Sequence, residues 1–117
     1  MKRQELEERL IDFVQKSYTG NHLLSQIVRS STSPALNYGE AQSAESKKDF
    51  IHKMGICLKE LRETLNCLKI IERANLSSNE ELKDKLKTEA NELISIFVAS
   101  IRTAKAKIWK SLIKKIL

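Results

Sequence analysis

The sequence predicts an all-α protein: an antiparallel up-down-up-down four-helix bundle, forming a single domain over residues 1–117. Three features point there. One proline and three glycines in 117 residues leave few breakers, so helices run long. Apolar residues recur every three or four positions through most of the chain. Charged side chains make up 31% and apolar ones 41%, a balance that lets each helix bury one stripe and solvate the rest.

The first helix is predicted over about 2–17, where Leu6, Leu10, Phe13 and Val14 stand at 3–4 spacing among charges. "YTGN" at 18–21 punctuates it. Gly20 suits a left-handed C-cap, and Thr19 or Asn21 can cap the next helix. A second helix over about 21–43 is expected to bury Leu23, Leu24, Ile27 and Val28. It contains the small-residue run "SSTSPAL" and Pro34, which removes one helical hydrogen bond. A kinked helix is the first reading, and a dividing loop at 30–34 the second.

Ser46 opens a third helix, about 47–74, with the capping box "SKKD" and Asp49 at its third position. Phe50, Met54, Leu58, Leu61, Leu65 and Leu68 give it a stripe close to a 3.5-residue period, widened by Ile51, Cys57 and Ile71. "NLSSNEE" breaks it, with Ser78 and Glu81 as a second capping box. The fourth helix, about 79–115, carries Leu82, Leu86, Leu93, Ile94, Phe97, Ile101, Ile108 and Leu112 on its apolar face. At 1.5 Å per residue it spans about 55 Å against about 24 Å for the first helix, so its end outruns its partners. There Ile108, Trp109, Leu112, Ile113 and Ile116 share one face, and a second chain is expected to cover them.

The formal charge is +6, and its location says more than its size. Residues 102–117 hold Arg102, Lys105, Lys107, Lys110, Lys114 and Lys115 and no acidic side chain, while the preceding 101 are balanced. Cys57 and Cys67, ten residues apart on one helix, would be about 15 Å apart. That is too far for a disulfide, so free thiols in a reducing compartment are expected. The chain has no apolar run of about 18 residues and a charged start, "MKRQELEERL". No membrane span or secretory signal is expected, and the location read from this is cytoplasmic.

The central stretch "SSTSPALNYGEAQSAESKKDFIHKMGICLKELRETLNCLKII" closely resembles the bacterial four-helix-bundle family encoded in intervening sequences of ribosomal RNA genes. The positions that carry the likeness are Ser30–Ser33, Asn37, Glu40, Ala41, Ser46–Met54 (with Asp49, Phe50 and Lys53), Lys59, Glu60, Glu63 and Thr64. Pro34 and Gly39 are tolerated variations on the pattern. The resemblance implies an antiparallel bundle assembled into a homo-oligomeric ring, five subunits being the expected number, and no enzymatic activity. It also implies kinship with the accessory protein of diversity-generating retroelements, hence a reverse transcriptase-like protein and nucleic acid as partners. Asn37 is placed to bond backbone groups freed at Pro34, and Glu40 to pair with Lys47 or Lys53 across the turn; a contact surface is the functional alternative.

Catalytic constellations are not evident. Glu60 with Glu63, and Glu81 with Asp84, have the i, i+3 spacing of paired carboxylates, but Lys59, Arg62, Lys83 and Lys85 beside them make solvated ion pairs the plainer reading. His22 and His52 lack partners at ligand spacing, and no Glu-x-x-His element of a di-iron bundle occurs. Phosphate-loop and nucleophile-elbow patterns are missing too. No cofactor, metal or small-molecule substrate is expected.

The basic end is the one feature with a functional mechanism. Lysines along a helix neutralise phosphates and release counterions, giving salt-dependent, largely sequence-independent binding. Trp109 could stack on a base, although its apolar face favours packing. The same lysines also complement a helix C-terminus, and a basic amphipathic helix can lie on an anionic membrane. The sequence therefore reads first as a non-enzymatic accessory protein that binds RNA or DNA through Arg102, Lys105, Lys107, Lys110, Lys114 and Lys115. Second comes a protein-interaction scaffold that docks on the apolar end of the fourth helix.

Overall fold

The computed structural model describes Glu5, Arg9 and residues 19–117. Among these, three helices and no strands are found: α1 (Thr19–Gln42), α2 (Lys47–Arg73) and α3 (Glu80–Ile116). Glu5 and Arg9 are helical, but the rest of the predicted first helix, and with it the four-helix count, lies outside the described residues.

α1 runs unbroken through Pro34, so the continuous reading holds and the dividing loop at 30–34 does not. Two side chains serve the backbone around the proline. Thr32 Oγ1 donates to the Val28 carbonyl at 2.7 Å, and Asn37 Nδ2 donates to the Ser33 carbonyl at 2.9 Å and to Ser33 Oγ at 2.8 Å. Asn37 thus serves the residue before the proline, not Ser30, whose carbonyl loses its helical donor at position 34. Gly20 is not the left-handed cap expected of it. It lies inside α1, and no glycine has positive φ among the described residues.

The remaining caps explain the element boundaries. Ser46, in extended conformation, accepts from the Asp49 N–H at 3.0 Å, as the capping box predicts. The return arm reaches one residue further out, from the Glu45 N–H to Asp49 Oδ2 at 3.3 Å. α2 ends in a Schellman turn: Asn75 takes φ 54°, Leu76 N–H bonds the Ile71 carbonyl and Asn75 N–H bonds the Glu72 carbonyl. Asparagine tolerates that left-handed conformation better than other side chains. The cap of α3 is Asn79, whose Oδ1 accepts from the Leu82 N–H at 3.0 Å, and not Ser78.

α2 is the central element, packed against α1 on one side and α3 on the other. Its buried side chains are Met54, Cys57, Leu61, Leu65, Cys67 and Leu68; of the predicted stripe Phe50, Ile51, Leu58 and Ile71 are half-buried. Arg29 meets Glu60 and Glu63, Ser30 meets Thr64, and Pro34 meets Cys57, so positions rise in α1 as they fall in α2. The pairing is antiparallel. Glu72 meeting Lys83 and Lys87 sets the same sense for α2 and α3. Cys57 is fully buried, its Sγ 3.5 Å from the Pro34 carbonyl, and both thiols are free. Tyr38 and Phe97 close the gap between α1 and α3 edge to face, with centroids 5.8 Å apart.

Two stretches of the predicted apolar faces are turned outward. In α1, Leu23 is buried and Val28 exposed. In α3, Leu82 and Leu86 are 52% and 47% exposed, and the buried positions of this end are Lys83 and Ala90. At this end the buried stripe is offset by one residue, and Lys83, 6% exposed, reaches Glu72 on α2, Glu80 and Asp84. A buried ammonium needs such partners. Their hydrogen bonds, Glu80 first, hold its pKa above the ordinary lysine range although burial works the other way. The solvated pair the sequence implies is formed by Lys85 and Glu81, both exposed, whereas the ammonium of Lys83 is buried.

Replacing Asn79 by Ala should lower unfolding stability by about 1 kcal/mol, read from urea denaturation, whereas Ser78→Ala should be nearly neutral. Equal losses would return the cap to Ser78.

Candidate nucleic-acid interface

α3 has 37 residues and α2 has 27, about 55 Å against about 40 Å of helix. Antiparallel pairing lets α2 cover only part of α3. The α1–α2 turn meets α3 in a groove of about 720 Å³, lined on one side by Ala41, Gln42, Ala44, Ser46, Lys47 and Phe50. On α3 it reaches from Ala99 to Lys107. The residues beyond Lys107 pass the end of α2 and add about 15 Å of helix. Their apolar side chains stand in solvent: Trp109 is 65% and Ile116 82% exposed, with Leu112, Ile113 and Leu117 exposed as well. Ile108 alone of the predicted contact residues is half-buried.

All six cations of this end, Arg102, Lys105, Lys107, Lys110, Lys114 and Lys115, are exposed, and none pairs with a described acidic side chain. They do not form one face. Lys107, Lys110 and Lys114 lie within about 60° of one another around α3, on the side of the α1–α2 turn. Arg102 and Lys105 lie on the opposite side, the side to which Trp109 is also turned. There they share a depression of about 280 Å³ with Leu58, Arg62, Val98 and Ile101. Lys115 stands between the two groups. The sequence reads Arg62, on α2, as half of a solvated ion pair. Nothing local could mark it as a neighbour of Arg102, since only helix pairing brings positions 62 and 102 together.

The remaining singled-out residues are structural. Arg29 Nη1 bonds Glu60 Oε2 at 2.9 Å and its Nη2 bonds Glu63 Oε1, clasping α1 to α2. Beside the clasp, the hydroxyls of Ser30 and Thr64 meet at 2.7 Å. The Arg29 hydrogen bond holds the Glu63 carboxyl below the usual carboxylate range, and Glu63 in turn raises the guanidinium. Glu72 is lowered likewise, by Lys87 first and then Lys83. Burial pushes both cysteine thiols up, so neither is an activated nucleophile. Lys53 pairs with Asp49 at 3.3 Å in its own helix and not with Glu40, which is exposed; the predicted pairing across the turn is not formed. Phe50 lines the groove under the turn. Among the described residues no cluster of His, Cys, Asp and Glu could hold a metal ion, and no helix is long and apolar enough to cross a membrane.

Compared with known proteins, residues 3–99 match the family model of the 23S rRNA-intervening sequence protein. A solved structure is similar too: a protein of unknown function from the S23 ribosomal protein family of Bacteroides thetaiotaomicron. It is 31% identical, with 80% of this chain and 85% of that one covered and a TM-score of 0.65. No curated protein matches. The matched span holds the Arg29 clasp and Arg62 and stops before Arg102.

The clasp sets an acid limit on stability. A carboxyl whose folded pKa is lowered contributes stability above its unfolded value of about 4.5, lost as pH falls through the folded value. Denaturant midpoints should therefore drop as the pH is taken below about 5. Arg29→Gln should lower the midpoint at neutral pH and flatten that drop; parallel curves for the two proteins would remove Glu63 from the acid transition.

Proposed function

The chain belongs to the 23S rRNA-intervening sequence protein family, and from that premise we propose that it is a non-enzymatic accessory protein that binds nucleic acid, RNA first, through the C-terminal end of α3. The observation that carries this reading is the segregation of charge. Six exposed cations lie within sixteen residues that hold no carboxylate side chain, and none is neutralised by a described acidic side chain. Lysines that only complemented the helix C-terminus would need to occupy the last turn, where Lys114 and Lys115 stand. Arg102, Lys105, Lys107 and Lys110 lie further back, where the helix C-terminus does not call for them, and exposed cations there can neutralise phosphates on either side of α3. Assembly into a ring would multiply these contacts and let individually weak ones act together.

A protein-interaction scaffold is the second reading, favoured by the exposed apolar end at Leu112, Ile113, Ile116 and Leu117. In that reading the lysines keep the assembly soluble and the overhang meets a second chain.

Neutralising Lys107, Lys110 and Lys114 together as glutamines should weaken RNA binding and reduce the slope of log affinity against log salt by about 0.7–0.9 for each phosphate that is no longer neutralised. An unchanged slope would take these lysines out of the interface. Replacing Leu112 and Ile116 by Ser should lower the mass of the assembly in solution, measured by light scattering. An unaltered mass would place any assembly contact elsewhere.

A further inference from the structure

The apolar neighbours of Trp109 in sequence favour packing, yet nothing in the described chain covers it: it is 65% exposed, beyond the end of α2. Its surroundings are as telling. Lys105 stands one turn before it and Arg102 two turns before it, on the same side of α3. Arg62 faces the same side from α2, across the depression floored by Leu58, Val98 and Ile101. The α2 carboxylates nearest in sequence, Glu60 and Glu63, are committed to Arg29 on the other side of the helix. The result is an exposed indole at the end of a row of three cations. A second copy laid over this edge would bring like charges together and desolvate three of them. A polyanion with exposed aromatic faces brings opposite charge to the three cations, which offsets their desolvation, and offers the indole a stacking partner.

We infer that the edge formed by Arg62, Arg102, Lys105 and Trp109 is a single-strand site, where unpaired nucleic acid lays its phosphates along the three cations and stacks a base on the Trp109 indole. The inference rests on the nucleic-acid reading above and adds the strand class that this site takes. Duplex cannot use the indole, since its base faces are covered by their neighbours, whereas single strands offer each base for stacking. The Lys107, Lys110 and Lys114 group on the opposite side supplies charge alone and does not discriminate between strands.

Trp109 is the only tryptophan in the chain, so its fluorescence reports the site directly. The full-length protein is titrated with oligouridine, oligodeoxythymidine and an RNA duplex of equal phosphate content. Single strands should quench the emission and duplex should not. Trp109→Leu, apolar but not aromatic, should weaken single-strand binding about tenfold and leave duplex binding unchanged, while Trp109→Phe keeps most of the affinity. Arg62→Gln should reduce the single-strand salt slope by about 0.7. Binding of single strands without quenching, or equal losses for Leu and Phe, would overturn the stacking site and leave binding by the lysines standing. Failure of all three nucleic acids to bind at low salt would overturn both.

Discussion

The described core depends on α2 having a partner on each side. α1 and α3 each pack against it, and the Tyr38–Phe97 contact bridges the outer pair directly. The close approach of α1 is made by a stretch of small residues, Ser30 to Ala35, which brings the Ser30 hydroxyl onto Thr64 and the Pro34 carbonyl onto the fully buried Cys57. A bulkier run would hold the helices apart and expose that thiol. On its other side α2 holds Glu72, which takes both Lys83 and Lys87 from α3. Each neighbour is therefore fixed to α2 by apolar burial in the middle and by ion pairs at the flanks. The length of α2 sets how much of α3 can be covered.

Much of this was legible in the sequence because it is local. The period of Met54, Leu61, Leu65 and Leu68 marks the buried stripe of α2, and "SKKD" marks its cap, since both depend on residues within a turn or two. What the sequence hid depends on partners in other helices. Lys83 is buried where Leu82 and Leu86 are exposed, and it reaches Glu72 on α2, a carboxylate that a hydropathy pattern cannot see. Gly20 signals a break, but it stands in the first turn of α1, where its backbone is helical and no left-handed conformation is called for. Pro34 could have divided α1, yet the helix continues through it, with Thr32 and Asn37 bonding carbonyls on either side of the orphaned Ser30 carbonyl and not that carbonyl itself. The candidate site divides the same way. Its six cations and its overhang were readable as charge and length, whereas their separation into two groups and the addition of Arg62 needed the fold.

The two halves of α3 treat charge in opposite ways. In the first half lysines sit among carboxylates: Lys83 with Glu72, Glu80 and Asp84, Lys85 with Glu81, and Lys87 with Glu72. There charge holds α3 to α2 and pairs locally. In the second half no described acidic side chain pairs with it, and it stands in solvent. Unpaired like charges along one helix repel, and surface lysines far from an anion add nothing to the fold. The family match ends at residue 99, so all six cations of this half lie beyond the matched span, although Ser100, Ile101, Ala104 and Ile108 of the same stretch are still half-buried. The charge excess is thus separated in sequence from the charge-balanced part of the chain.

That separation bears on how the end of α3 can work. Charge alone gives binding that fades steeply with salt, because its free energy comes from released counterions. Stacking on an aromatic face depends far less on salt, since it displaces water and not ions. An end that carried lysines only would hold any polyanion at low salt and release it as salt rises. If the end of α3 binds nucleic acid as proposed, an exposed indole beside Arg62, Arg102 and Lys105 would retain single strands at salt concentrations where duplex has left. The difference would appear first at physiological ionic strength, where the Debye length of about 8 Å limits the reach of each cation to its nearest phosphates. At that distance the position of one side chain, Trp109, would weigh more in the proposed site than the total of +6.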